Sequence, residues 1–467
     1  MRDRMEDRNM NQNMLASFQA LREVYSEQAF SNLAVNRAIE EHRGCDGSFV
    51  RAMTRGVLRN SILADHYIDM LASKGIKGMK TRTKILLRMG IFAVEEMDSM
   101  PEYAAVNETV ALARRVSKGT AGFINAMLRS YLRERKDLFL EDWHHPAFDG
   151  TIDHVDRLAI TLSYNRELVK LFICQYGEDE AVRIMEGMNG KKPLVLRSNG
   201  TKTDREALMA ALEKEGYAVE ALPGTDTGVV VREGAPVGDE LFARGHYSVQ
   251  GAGSLTAIEH LIRSFRENRE MSPDEYGFSE KIRMLDMCAA PGGKTAAMAE
   301  LTGDRCSITA CDVYDHRLEL IEKNAERLGL NSISTCLSDG SEHRDEWEDA
   351  FDLVLADVPC SGLGTIGGKP EIKLRGDVAG FSRLAEIQRK ILANAASYVR
   401  PGGMLMYSTC TLNRDENEGV TDGFLREMNA AENSGDDLEC VEKCLLLPYN
   451  ITTGFYWCIL RKSAQRQ

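Results

Sequence analysis

From about Ser254 to its end the chain alternates short apolar runs with amphipathic stretches, and nothing else in its 467 residues restricts the fold as strongly. The runs are IRMLDM (282–287), SITACD (307–312), ISTCLS (333–338), FDLVLAD (351–357), GMLMYST (403–409) and FYWCILR (455–461). Between them Leu318, Ile321, Ala325 and Leu328 recur at helical spacing, as do Ile387, Ile391, Ala395 and Val399. Strands that are apolar throughout are covered on both faces, and their alternation with helices predicts a mostly parallel sheet sandwiched between helices. This α/β domain is expected over 251–467.

The first part of the chain is different. From about Met14 to Leu140 helix formers dominate and period-two alternation is absent. Ile85, Met89 and Phe92 share one face of a helix, and Ile124, Met127 or Leu128, and Tyr131 share another. An all-α bundle over 14–145 is the simplest solution. Between the two, 160–250 mixes patterns. LVLRSN (194–199), YAVEAL and GVVVR are expected strands, and Thr203 with Glu206 has the spacing of a capping box. This predicts a small α/β connector. A single core stops growing at roughly 250–300 residues, so several domains suit the length.

The formal net charge of −13 argues against a non-specific nucleic-acid coat protein, yet the charge is uneven. Phe49–Gly90 carries nine basic residues against Asp65 and Asp69, and Arg114–Lys136 carries seven against Glu134. Two such runs in an acidic chain suit a phosphate-facing surface. Lys191, Lys192, Arg197, Lys202 and Arg205 suggest a second one on the connector. Apolar runs are too short to span a membrane, and MRDRMEDRNMNQNM lacks an apolar signal core, so residues 1–13 are expected to form a disordered tail. Eleven cysteines, an odd number at irregular spacing, form neither a disulfide framework nor paired zinc ligands. Reduced thiols in the cytoplasm, and no metal, are expected. Cys45, Cys174, Cys306, Cys311, Cys336, Cys440, Cys444 and Cys458 are read as core residues.

The chemistry is expected at the ends of the strands. The first leads into Met287-Cys288-Ala289-Ala290-Pro291-Gly292-Gly293-Lys294-Thr295 and then a helix. A phosphate loop needs a glycine where Cys288 stands, which disfavours an ATPase. A nucleoside-binding turn instead needs an acidic residue about 20 positions on, at the next strand's end, to grip ribose hydroxyls. Asp312 lies there, and Asp339-Gly340 follows the third strand. Asp286 is placed to support the loop or to meet the ligand's amino-acid part. Two further strands end in cysteine motifs, DVPCSG (357–362) and YSTCTL (407–412).

DMCAAPGGKT, DVPCSGLGT and YSTCTL resemble the signature motifs of RNA cytosine-C5 methyltransferases that use S-adenosylmethionine. SVQGAGS (248–254), YNRELVKLFICQYG (164–177) and LVLRSN resemble the segment preceding that catalytic domain. MGIFAVEEMDSMPEYAAVNETVALAR and GTAGFINAMLRSYLR resemble a NusB-like RNA-binding domain. The order is similar to the bacterial RsmB (Sun) type, and the resemblance covers nearly the whole chain from about Met14.

That resemblance implies a Rossmann-like S-adenosylmethionine-dependent methyltransferase domain acting on a cytosine of 16S ribosomal RNA, the family site being cytosine(967). It implies cofactor contacts from Cys288, Ala289, Ala290, Pro291, Gly292, Gly293, Lys294, Asp312, Asp339 and Asp357. C5 of cytosine is a poor nucleophile, and a thiolate adding to C6 activates it. Residue type and spacing leave open which cysteine attacks. The resemblance assigns Cys410 as nucleophile and Cys360 to product release, with Asp357 placed to hydrogen-bond N3 and the exocyclic amine. Lys294 could lower a thiol pKa or hold the base. The base must be single-stranded or flipped. A monomer needing no protein partner is expected. The rivals are the same chemistry on transfer RNA or another ribosomal site, and an inert RNA-binding factor. The chain departs from the family pattern at Gly367-Gly368, where arginines often stand, at Asn165, where a proline is usual, and at Thr453-Gly454-Phe455-Tyr456, where Asp-Gly-Phe-Phe is usual.

Overall fold

The computed structural model describes residues 2–139, 142–148, 150–236, 238–269, 278, 281–430 and 438–464. The chain divides into two compact units, residues 1–189 with 366–376, and residues 190–365 with 377–467.

The first unit is helical: α1 (Arg2–Glu27), α2 (Ser31–Glu41), α3 (Gly47–Arg59), α4 (Ser61–Leu71), α5 (Thr81–Glu96), α6 (Glu102–Val116), α7 (Ala121–Leu138), α8 (His154–Thr161), α9 (Arg166–Tyr176) and α10 (Glu178–Asn189). Its core holds the expected faces, with Ile85, Met89, Ile124, Leu128 and Tyr131 buried. Asp46 starts α3 by accepting from the N–H groups of Ser48 and Phe49, which satisfies two of the donors a helix start leaves open. Residues 2–13 are the first turns of α1 rather than a tail, since Arg, Glu, Met and Gln in this stretch are all good helix formers and no Gly or Pro interrupts them. The basic runs are not wholly outward. Arg88 forks onto Asp65 at 2.7 and 2.6 Å and lies over the Tyr25 ring, and Arg135 pairs with Glu95 and Glu102.

Residues 366–376, which follow the DVPC motif, pack within this helical unit. Glu371 accepts from the N–H of Ser31 at 2.9 Å, at the start of α2. The Lys373 ammonium donates to Asn189 Oδ1 at 2.8 Å and to the carbonyl of Leu162 at 3.1 Å, over the Tyr164 ring. Burial pushes its pKa well below the usual lysine value, and Arg59 adds to that.

The second unit begins with β1 (Leu194–Ser198), α11 (Arg205–Lys214), β2 (Ala218–Ala221), β3 (Gly228–Glu233), α12 (Glu240–Ala243) and β4 (Tyr247–Val249). These strands form an antiparallel sheet of order β2-β3-β1-β4. The cap of α11 is Asp204, accepting from the N–H of Ala207, one residue beyond the predicted Thr203. A carboxylate is the stronger choice beside a helix's positive end.

There follow α13 (Ala252–Asn268), β5 (Arg283–Asp286), α14 (Gly293–Leu301), β6 (Ser307–Asp312), α15 (Asp315–Leu328), β7 (Ile333–Leu337), β8 (Phe351–Asp357), α16 (Gly380–Tyr398), β9 (Val399–Thr409), α17 (Glu418–Ala430), β10 (Leu438–Leu446) and β11 (Phe455–Lys462). The sheet order is β10-β11-β9-β8-β5-β6-β7. Strands β5 to β9 are parallel, and β11 and β10 add antiparallel at one edge. Alternate residues face opposite layers. Leu353 and Met406 pack with Ile258, Phe265 and Met298, whereas Val354 and Leu405 pack with Leu392 and Tyr398. The predicted Leu318–Ile321–Ala325–Leu328 stripe is buried. On α16 the buried stripe is Gln388, Ile391, Leu392 and Ala395, with Ile387 exposed, because a hydrogen-bonded glutamine takes the inward position. Strand β10 was not expected; as an edge strand it carries Glu439, Glu442 and Lys443 and lacks the apolar continuity of the interior strands.

Candidate active site

The parallel strands end along one edge of the sheet, the edge where α/β sheets bind ligands. The loop after β5 is tied down on both sides: the N–H of Met287 donates to Leu355 O at 2.9 Å, and that of Ala289 to Cys311 O at 2.7 Å. Gly292 opens α14 with φ +94°, a backbone region that side chains disfavour, and a Cβ there would lie 3.2 Å from Ile321 Cα. A Cβ at Gly293 would meet nothing within 4 Å, so the loop faces open space there.

Acidic residues ring this loop. Asp286 is buried, and its Oδ2 accepts from the Thr295 hydroxyl at 2.6 Å. Its Oδ1 is buried without a hydrogen-bond partner, although the Cys288 N–H lies near enough to ease its charge. Burial pushes the carboxyl up to about 7. Asp312, at the end of β6, accepts from the Tyr314 N–H at 3.1 Å and pairs with Arg317, which also donates to Ala290 O on the loop. Asp339 accepts from the N–H and hydroxyl of Ser341 and lines a cleft with Met287, Ser338 and Gly340. Cys288 packs toward the α16 layer, and burial pushes its thiol well above its ordinary value.

The two cysteine motifs meet. Cys360 Sγ and Cys410 Sγ are 3.4 Å apart, beyond the ends of the neighbouring strands β8 and β9. Backbone bonds hold the two loops together, from Val358 N to Ser408 O at 3.1 Å and from Gly364 N to Cys410 O at 3.0 Å. Gly364 and Gly454 touch backbone to backbone: a Cβ on Gly364 would sit 2.1 Å from Gly454 O. The glycine of the divergent 453–456 stretch is thus the position that this approach requires.

The surroundings of the two thiols differ. Lys294 donates to Asp357 Oδ2 at 2.7 Å, and the Ser408 hydroxyl donates to Asp357 Oδ1 at 2.8 Å. Burial works against the Lys294 ammonium, but Asp357, with Cys410 and Asp286 adding, holds its pKa above the usual value. Cys360 is raised well above the ordinary thiol value by its contact with Cys410, then by burial, with the Glu416 carboxylate contributing.

Glu416 escaped the sequence reasoning. It is fully buried and accepts from the Ser361 N–H at 2.8 Å, Gln388 Nε2 at 3.0 Å and Asn413 Nδ2 at 3.0 Å. Gln388 also donates to Pro359 O at 2.9 Å. These bonds grip the Cys360 loop from the chain just beyond Cys410. The cluster NRDENE after YSTCTL was its only visible signal. Among the other cysteines, Cys306, Cys311 and Cys458 are buried, but Cys174 and Cys440 are exposed rather than core, one on α9 and one on the edge strand β10. No group of three metal-ligating side chains occurs among the described residues, and no helix among them is long and apolar enough to cross a membrane.

The profile described as 16S rRNA methyltransferase RsmB/F matches residues 277–445, that of the NusB family matches 11–133, and that of the RsmF/B-like ferredoxin-like domain matches 165–238. A Bacillus subtilis protein named "Probable ribosomal RNA small subunit methyltransferase B" is 33% identical over 96% of this chain and 98% of its own length. The human 28S rRNA (cytosine(4447)-C(5))-methyltransferase is 34% identical over 58% of this chain and 32% of its own. Among solved structures, PH0851 superposes with a TM-score of 0.76 at 20% identity, covering 96% of this chain and 98% of that one. NSun6 from Pyrococcus horikoshii with SFG gives 0.50 at 21% identity, covering 64% and 98%. The architecture is a Rossmann-like methyltransferase domain preceded by a NusB-like helical region. Within that class, the chain belongs to the ribosomal RNA small subunit methyltransferase B family of ribosomal RNA cytosine-C5 methyltransferases.

Proposed function

We propose that this chain methylates C5 of a cytosine in 16S ribosomal RNA, using S-adenosylmethionine and a transient covalent bond from Cys410 to C6 of the base. The observation that carries this is the pair of thiols 3.4 Å apart, with a half-buried lysine on the side of Cys410 and a buried glutamate on the side of Cys360.

The residues around the β5 loop suit the cofactor. Gly293 leaves room for close approach, Gly292 supplies the positive φ that turns the chain into α14, and the N-terminus of α14 points into the site. Asp312 is placed for ribose hydroxyls and Asp339 for the adenine side. The unpartnered Oδ1 of Asp286 suits an ammonium group. Cys288, Ala289, Ala290 and Pro291 shape the loop, and Lys294 with Asp357 closes its far side. When bound, the cofactor supplies a methyl group on a sulfonium.

Cys410, with the Lys294 cation nearby, attacks C6 as a thiolate, and the ring becomes enamine-like so that C5 can accept the methyl. Asp357 accepts from the exocyclic amine and orients the base. Cys360 then takes the C5 proton, the electrons of that C–H bond re-form the C5–C6 double bond, and the C6–S bond breaks to return the Cys410 thiolate. The base is single-stranded or flipped, since a stacked ring hides the face that is attacked. We place the reaction in the cytoplasm on a monomer, with the helical region 14–145 and the connector 160–250 contacting RNA phosphates ahead of the catalytic region 251–467.

Bisulfite sequencing of ribosomal RNA from a deletion strain, with and without the wild-type chain, tests the assignment. The expected result is one protected cytosine of 16S RNA lost on deletion and regained on complementation. Loss of a transfer RNA signal alone would replace the substrate.

A further inference from the structure

Arg197 belongs to LVLRSN on β1, among residues whose charge suggested an RNA surface, but it is only 1% exposed. Its guanidinium is spread over one helix. Nε donates to Glu300 Oε2 at 2.7 Å and Nη2 to Glu300 Oε1 at 2.9 Å, a forked pair that suits arginine and not lysine. The remaining nitrogen, Nη1, donates to the carbonyl of Gly293 at 2.8 Å and also to the Gln250 side chain. Gly293 and Glu300 lie seven residues apart on α14, hence on one face of it, and Arg197 bridges two turns of that helix.

Gly293 is both the first residue of α14 and the last glycine of the β5 loop. The next residue, Lys294, is bonded to Asp357. The turn is therefore held from the four-stranded sheet by Arg197 and from the end of β8 by Asp357. Burial opposes the charge of Glu300, and Arg197 compensates it. A buried ion pair contributes little net stability over apolar residues of similar volume, so a positional role accounts for its placement better than a stabilising one.

We propose that Arg197 is a positioning residue for the cofactor, clamping the Gly293 carbonyl so that the first turn of α14 meets the ligand at a fixed angle, and that the four-stranded sheet thereby sets cofactor affinity. This rests on S-adenosylmethionine being the ligand of the β5 loop.

The test measures binding of S-adenosylmethionine by calorimetry and melting temperature, in Arg197→Met and in Arg197→Met/Glu300→Met. The single variant should melt lower, because Glu300 is left buried and unpaired. The double variant should regain the melting temperature, yet bind the cofactor about tenfold more weakly, with KM for cofactor raised, kcat at saturation kept, and RNA affinity unchanged. If the double variant regains affinity along with stability, Arg197 is only the partner of Glu300 and the clamp is overturned. Should the double variant fail to fold, Glu300→Gln decides. Affinity kept despite a lower melting temperature supports the clamp, and affinity falling in step with it overturns the clamp. A wild-type chain that binds no S-adenosylmethionine removes the cofactor assignment and the clamp with it, whereas wild-type binding with a recovered double variant removes the clamp alone.

Discussion

Cys360 and Cys410 are the same side chain at equivalent places, each just past the end of a parallel strand, and they nearly touch. What differs is the charge behind each. A half-buried ammonium, kept charged by Asp357, stands toward Cys410, and a buried carboxylate that binds the next backbone N–H stands toward Cys360. A cation favours thiolate and an anion favours thiol. Two chemically identical groups are thus suited to opposite tasks, one to attack carbon as a thiolate and one, the more basic sulfur, to take up the C5 proton. Neither motif carries this asymmetry in its own letters; it comes from Lys294 on α14 and from Glu416, six residues past Cys410.

The largest effects should come from removing either sulfur. Cys410→Ala is expected to lower turnover by roughly 10⁴-fold or more while the affinity for S-adenosylmethionine, read by calorimetry, stays within twofold. Cys360→Ala should slow release by about 10²- to 10⁴-fold and accumulate a protein–RNA adduct that survives denaturing electrophoresis. If the two variants exchange phenotypes, the assignment is reversed.

A smaller effect sharpens the role of the cation. In Lys294→Met the Cys410 thiolate loses a neighbouring positive charge, so single-turnover adduct formation should slow about tenfold at neutral pH and recover by about one pH unit higher. A rate loss of equal size at every pH would mean that Lys294 acts only on the fold.

The smallest effect concerns the anion. Cys360 has a raised thiol pKa, so adduct resolution in the wild type should accelerate as pH rises through that pKa, because the proton acceptor must be deprotonated. Glu416→Gln keeps much of the hydrogen bonding and removes the charge, so the rising limb should move to lower pH by roughly half a unit. A limb that stays in place while the amplitude drops would leave Glu416 a loop clamp without electrostatic influence on Cys360.

Much of this architecture was legible in the residues. The parallel strands, the α15 stripe and the glycine turn each depend on local patterns of apolar residues or on backbone geometry that only glycine accepts readily. The positions of Asp312 and Asp339 follow from strand ends. Other features depend on partners distant in sequence. Arg197 reads as one more basic residue on a connector, and only the packing of β1 beside α14 turns it inward. Gln388 occupies a buried position on α16 because the carbonyl of Pro359 and the carboxylate of Glu416 meet it there. Lys294 and Asp357 are separated by 63 residues and form one ion pair. The N-terminal stretch misled because polar composition says little about helicity: Arg, Glu, Met and Gln outweigh the weaker Asp and Asn there, and no Gly or Pro stops a helix that continues from Met14.

The packing of residues 366–376 has a practical consequence for anyone dividing the molecule. A single cut before Gly190 would strand Glu371 and Lys373 on the catalytic fragment, far along the polypeptide from the helices that shelter them. The helical piece would keep an open slot where the start of α2 and the Leu162 and Asn189 oxygens had been occupied. The helical piece obtained that way would lack part of its own unit, so a faithful dissection must carry this eleven-residue strip across with the helices and close the gap in the remainder with a linker.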